Sequence, residues 1–222
     1  EPALPGKRAK LVALIEHLDD GIGRVLAALR ANGQADNTLV VFTSDNGGRL
    51  SVGASCAPWR GGKEDMYEGG IREPFGAVWP GKIKPGSRHE GVTLAMDLMP
   101  TLLEAAGVPV PPGLDGVSVL PALLGGSQPA LADRSLIWVR REGNPRYRGR
   151  DYYAVRRGNW KLVQNSPFQP YELYDLATDS LETRNLADDN KAKLEELYRV
   201  LMAHLQKSAT VPWQKGEARR GE

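Results

Sequence analysis

Apolar residues recur at Leu11, Leu14, Ile15, Leu18, Ile22, Val25, Leu26 and Leu29. That spacing predicts an amphipathic helix over residues 8–31 with one buried face, and Gly33 is its expected stop. The period then changes. "TLVVFT" (38–43) is a continuous, β-branched apolar run. Such a run predicts a strand buried on both faces, and hence parallel to its neighbours. A helix, a short loop and a buried strand make an α/β unit. "PFGAVWPG" (74–81) reads as the next strand and its turn. "DLMPTLLEAAG" (97–107) reads as a helix, with Asp97 as its cap, Pro100 in its first turn and Gly107 at its end. The Pro/Gly-rich "VPVPPGLDG" (108–116) is a loop, and "VSVLPALLGG" closes the first unit.

After about residue 130 the pattern shortens. "SLIWVRR", "DYYAVRRG", "NWKLVQN" and "PYELYDL" are aromatic or β-branched runs separated by turn residues. They predict a small antiparallel sheet, with "RRGNW" as a hairpin. "DDNKAKLEELYRVLMAHLQKS" (188–208) predicts a last amphipathic helix that starts at the Asp pair. Leu194, Leu197, Leu201, Met202 and Leu205 lie on its apolar side.

Composition changes this picture little. The chain has 222 residues, 41% hydrophobic and 25% charged, as in ordinary globular domains. A formal net charge of +2 gives no case for a nucleic-acid partner. The basic run "RREGNPRYRGR" (140–150) reads as a solvated loop. No apolar stretch approaches the roughly 20 residues of a membrane span, and no secretory leader is visible. The polar "EPALPGKR" that leads into the first helix, beginning at Glu1, reads as the middle of a longer chain or a processed product. The single cysteine excludes an intrachain disulfide.

The candidate chemistry is concentrated in residues 43–74. Asp45 and Asn46 follow the carboxyl end of the strand at 38–43, the rim where open α/β sheets bind ligands. Their side chains offer oxygens, which hard cations such as calcium prefer. Taken alone, the pair reads more readily as a loop in which each bonds its own backbone. Calcium needs about 6–8 oxygens, and no second acidic cluster beside a strand end completes the set. Lys63 follows "RGG", where backbone can come close to a ligand; a lysine there is a compact charge for phosphate or sulfate oxygens. In "YEGGIREP" (67–74), Glu68 and Arg72 predict a tight turn with a buried ion pair. His17, His89 and His204 are scattered, without the spacing of a metal site.

"NTLVVFTSDNGG", "RGGKEDMYEGGIREPFGAVWPGKIKPG", "DLMPTLLEAAG", "DGVSVLPAL" and "ELYDLATDSLETRNLA" together resemble the C-terminal half of type I, arylsulfatase-like sulfatases of the alkaline phosphatase superfamily. The resemblance runs from "HLDDGIGRVLAAL" to the last helix. It implies an α/β fold: residues 1–128 as the C-terminal part of a mixed sheet with flanking helices, and 129–222 as a small α+β subdomain. It implies hydrolysis of sulfate esters of small molecules or carbohydrates, with calcium and a formylglycine nucleophile formed from a cysteine. By resemblance, Asp45 and Asn46 match two calcium ligands and Lys63 matches a sulfate contact. The nucleophile and the remaining ligands match nothing here, which makes the missing N-terminal half a required partner and the chain alone inactive. Export to the periplasm or beyond is common in the family.

"CAPWR" satisfies the C-x-P-x-R pattern of formylglycine formation. "GGKEDM" follows it, however, where the family has a Leu-Leu-Thr-Gly-like stretch, so Cys56 is expected to be an unmodified loop thiol. Two other functions compete with the sulfatase. One is a phosphate or phosphonate ester hydrolase of the same superfamily. The other is a non-catalytic module that binds a partner or a sulfated glycan.

Overall fold

The computed structural model describes residues 6–142 and 148–208. The chain forms two compact units, Glu1–Arg134 and Ser135–Glu222. The centre of the basic run, 143–147, lies outside the described residues. Among those described, no helix is long and apolar enough to cross a membrane.

The first unit opens with helix α1 (Lys7–Ala31). It ends at Asn32, whose N–H bonds the Ala28 carbonyl, and Gly33 takes the left-handed φ of 67° that a helix stop requires. The expected buried face is not present: no residue of α1 is buried, and Leu14, Ile15, Leu18 and Val25 are exposed. Strand β1 (Val40–Thr43) also departs from expectation. It pairs antiparallel with β2 (Phe75–Val78), Val40 opposite Val78 and Thr43 opposite Phe75. Phe42 remains 51% exposed. The apolar run marks a strand suited to burial on both faces, but only a two-stranded ladder forms within the described residues.

Between these strands, helix α2 (Glu68–Ile71) is a single turn. Helix α3 (Leu98–Ala105) lies where the sequence predicts it, but Asp97 does not cap it through its side chain. Its carboxylate instead accepts from the Leu94 and Val117 N–H groups and from both terminal nitrogens of Arg134. Thr101 Oγ1 donates to the Asp97 carbonyl at 2.6 Å and accepts from the Val119 N–H at 2.8 Å. This pins α3 to the start of α4 (Leu120–Leu123).

The second unit is the predicted antiparallel sheet. Its strands β3 (Ser135–Arg141), β4 (Asp151–Arg157), β5 (Trp160–Gln164) and β6 (Glu172–Asp175) lie in sequence order. Arg157 faces Trp160 across a two-residue turn, opened by Gly158 at a φ of 58°. Helix α5 (Lys191–Ser208) starts after Asn190, whose Oδ1 accepts from the Lys193 N–H; the Asp pair at 188–189 precedes the helix. Tyr153, Val155, Leu162 and Leu173 form one core with Leu197 and Leu201 of α5. Lys161 points away from that core and is fully buried, 2.8 Å from the equally buried Glu182.

Candidate active-site segment

Asp45 and Asn46 follow β1 directly. Ser44 Oγ donates to the Asn46 carbonyl at 3.1 Å, and Asn46 Nδ2 donates to the Gly47 carbonyl at 3.1 Å. The amide nitrogen is thus tied to the chain, and its oxygen is left to accept. Asp45 is exposed and Asn46 half-buried.

The next two residues tie this rim to the rest of the segment. The buried Gly47 donates its N–H to the Gly70 carbonyl at 3.0 Å. A Cβ on Gly47 would lie 2.0 Å from the Gly69 carbonyl oxygen, so no side chain fits. Gly48 presents its carbonyl to the Lys63 N–H at 3.0 Å. The Gly69 N–H bonds the Arg60 carbonyl at 2.8 Å, and Gly62 bonds Asp65 Oδ2 at 2.9 Å. Three separate motifs, "SDNGG", "RGGK" and "YEGG", are therefore drawn into one knot of backbone hydrogen bonds. The structure brings Asp45, Asn46 and Lys63 onto that knot, and the Lys63 side chain is exposed.

The ion pair expected at α2 is present: Glu68 is buried and sits 3.6 Å from Arg72, which is half exposed. Arg72 also lies 4.0 Å above the Trp59 ring. Sequence reasoning missed Glu73. Burial pushes its carboxyl above the usual range, a hydrogen bond with Ser44 opposes that, and the Asp45 charge adds to the rise. Only a tertiary contact marks it, so the sequence carried no signal. Cys56 is a free, half-buried thiol, its Sγ 3.7 Å from the Gly48 carbonyl. His89 Nδ1 accepts from the Gly91 N–H, while His17 and His204 are exposed on α1 and α5.

The donors present fit a hard cation in kind but not in number. Asp45 and Asn46 offer oxygens only, as calcium prefers. Among the described residues no group of three His, Cys, Asp or Glu side chains could hold a metal ion. What the segment offers is two oxygen-bearing side chains and one exposed lysine rooted on the same backbone knot.

Comparison with known proteins places the chain in a family. Residues 6–108 match the Sulfatase family, and residues 61–210 match the family described as "N-sulphoglucosamine sulphohydrolase, C-terminal". The chain belongs to the sulfatase family and corresponds to its C-terminal portion. It is 35% identical to human arylsulfatase A over 237 residues, covering 92% of this chain and 45% of that protein. The solved structure of Ps i-CgsB in complex with k-i-k-neocarrahexaose superposes with a TM-score of 0.83 at 32% identity, covering 95% of this chain and 46% of that one. BT4656 in complex with its substrate D-glucosamine-2-N,6-O-disulfate gives a TM-score of 0.70 at 30% identity, covering 87% of this chain and 39% of that one. The chain thus spans less than half the length of these relatives. The chain has the C-terminal part of their fold, that of the alkaline phosphatase superfamily.

Proposed function

We propose that this chain supplies part of the active site of a sulfuric ester hydrolase. Asp45 and Asn46 give two of the oxygen positions for a calcium ion, and Lys63 contacts the sulfate. The nucleophile, a formylglycine, and the remaining ligands come from polypeptide outside these 222 residues. The observation that carries this reading is the bond from the Lys63 N–H to the Gly48 carbonyl. It holds the lysine two residues from Asn46, so charge for a sulfate oxygen and oxygens for a cation share one rigid base.

Bound calcium would supply positive charge against the sulfate oxygens as the S–O bond breaks. This chain's own residues do the rest of the positioning. Lys63 adds a point charge, and the backbone knot fixes its root so that little reorganisation accompanies the reaction. Cys56 takes no part.

The test assembles this chain with a polypeptide carrying the nucleophile and follows sulfate release from an aryl sulfate. The chain alone releases none. Lys63→Ala in the assembled enzyme lowers kcat/KM by about 10²–10³-fold, on the order of 2.7–4 kcal/mol, as for one oxyanion donor. An unchanged rate would sink the assignment of Lys63. Calcium raises the thermal midpoint of the assembly, and Asp45→Asn removes most of that rise. A phenylphosphonate ester run in parallel separates the sulfatase from the phosphonate hydrolase, because a lysine point charge serves either oxyanion.

A further inference from the structure

Residues 62–65 form the turn that carries Lys63. The Asp65 N–H donates to the Gly62 carbonyl at 2.9 Å, which makes Lys63 and Glu64 the two central residues. Glu64, but not Lys63, takes a positive φ, 86°. That is the pattern of a type II turn, whose second central residue is usually glycine or asparagine. A glutamate there is strained, because its Cβ crowds the backbone. Such strain persists where the surroundings over-determine it.

Asp65 is the residue that does so. Its Oδ2 accepts from the Gly62 N–H at 2.9 Å. Gly62 and Asp65 are therefore bonded twice, once through backbone and once through a side chain. The packing around this clasp is close. A Cβ on Gly61 would lie 2.9 Å from Asp65 Oδ2, and one on Gly70 would lie 2.2 Å from the Asp65 carbonyl oxygen. A Cβ on Gly62 would lie 2.7 Å from the Gly48 carbonyl oxygen, the atom that accepts the Lys63 N–H at 3.0 Å. The turn is thus closed by Asp65 and moored by Gly48. The Lys63 side chain is exposed, and its four-carbon stem is flexible. The direction in which that stem leaves the backbone is what the fold controls.

We propose that Asp65 is a positioning residue for Lys63. Through the Gly62 N–H it holds the turn in the strained form that aims the lysine at the sulfate. Its effect on the reaction passes through Lys63. A carboxylate suits the task, since charge-assisted bonds to backbone N–H groups are the strong ones. This inference rests on the reading of Lys63 as the sulfate contact and adds to it the group that sets the lysine's direction.

The test is a double-mutant cycle in the assembled enzyme, read as sulfate release from 4-nitrophenyl sulfate. Asp65→Ala lowers kcat/KM about 10–100-fold, as for a charge misplaced by about 1 Å. In a Lys63→Ala background the same change costs less than about twofold, because the group it positions is gone. Asp65→Asn, whose amide oxygen can accept the Gly62 N–H, restores most of the loss. Glu64→Gly, which removes the strain, restores part of it when added to Asp65→Ala. The proposal is overturned by a full loss in the Lys63→Ala background, by an Asp65→Ala enzyme within about twofold of the parent, or by the absence of either rescue. If Asp65→Ala does not fold, hydrogen exchange in the unaltered assembly decides. The Gly62 amide is then slowed together with the Lys63 amide, and exchange of Gly62 at the rate of a free amide overturns the proposal. Failure of the underlying reading looks different: Lys63→Ala alone leaves the rate unchanged, or the unaltered assembly releases no sulfate.

Discussion

The two units are stabilised by different means. In Ser135–Glu222, Val155, Leu162, Leu173, Leu197 and Leu201 are at most 1% exposed, and a sheet and a helix close on each other through side chains. In Glu1–Arg134 four of the buried positions around the site are glycines, Gly47, Gly62, Gly69 and Gly70, beside Met66, Tyr67 and the charged Glu68. Its longest helix buries nothing. Side-chain packing tolerates change by repacking, whereas backbone threaded through glycines does not. The contrast places adaptable stability in the second unit and sequence-intolerant geometry at the proposed site.

The largest effect should come from breaking the second unit at the fully buried pair of Lys161 and Glu182. Lys161→Met removes the ammonium beside the buried Glu182 carboxylate, and breaking a buried pair from one side costs about 3–5 kcal/mol, read as a lower denaturant midpoint. Lys161→Met with Glu182→Leu recovers most of that, because apolar pairs of similar volume replace buried ion pairs at little cost. A single variant within about 1 kcal/mol of the parent would show that the pair is hydrated in solution.

The first unit should break at a smaller perturbation in atoms. Gly47→Ala adds one methyl group, which meets the Gly69 carbonyl oxygen at 2.0 Å. The expected cost is about 1–3 kcal/mol. Hydrogen exchange distinguishes this from a general loss: the Gly47 and Lys63 amides lose protection while β4 and β5 keep theirs. Equal loss in both units would mean that they unfold together, and the contrast drawn above would fail.

A third effect, present at neutral pH and lost in acid, tests the staple at the end of the first unit. Burial pushes the Asp97 carboxyl upward. The hydrogen bonds from Arg134, Leu94 and Val117 outweigh it, with the Arg134 charge, and hold the group below the usual carboxylate range. A depressed folded-state pKa contributes stability above the unfolded value, about 3.9. That contribution is lost as pH falls through the folded value. Asp97→Asn should therefore flatten the fall in stability below about pH 4. An unchanged acid slope would assign that fall to other carboxylates.

How much of this was legible follows from how local each signal is. The second unit could be read almost entirely: alternating runs, a Gly-Asn turn and a 3.6-residue period are local patterns, and the sheet is antiparallel and in sequence order. The residues proposed for the site, Asp45, Asn46 and Lys63, also stand in local motifs. What joins them could not be read. The Gly48–Lys63 bond, the Arg72–Trp59 stack and the buried oxygen of Glu73 are tertiary, and no spacing announces them. Asp97 looked like a cap because Asp before a helix usually is one; Arg134, 37 residues on, took the carboxylate instead. The helix and first strand were misjudged for a related reason. Their apolar patterns specify burial, but not which polypeptide provides it.

That misjudgement leads to the prediction with the smallest expected effect. Leu18 and Val25 are 58% and 62% exposed on α1, and with Phe42 of β1 they line one apolar groove. In this chain alone, Leu18→Glu with Val25→Glu should change unfolding free energy by no more than about 0.5 kcal/mol per site, the range for surface positions. Self-association should fall, because a contiguous apolar face is a site of association, and sedimentation velocity reads that directly. In an assembly with the rest of a sulfatase, the same two charges would be costly if the groove is where that polypeptide packs, since unpaired charge resists burial. A large loss in the chain alone would mean that α1 already has a buried face in solution. The two units would then be alike in how they are stabilised.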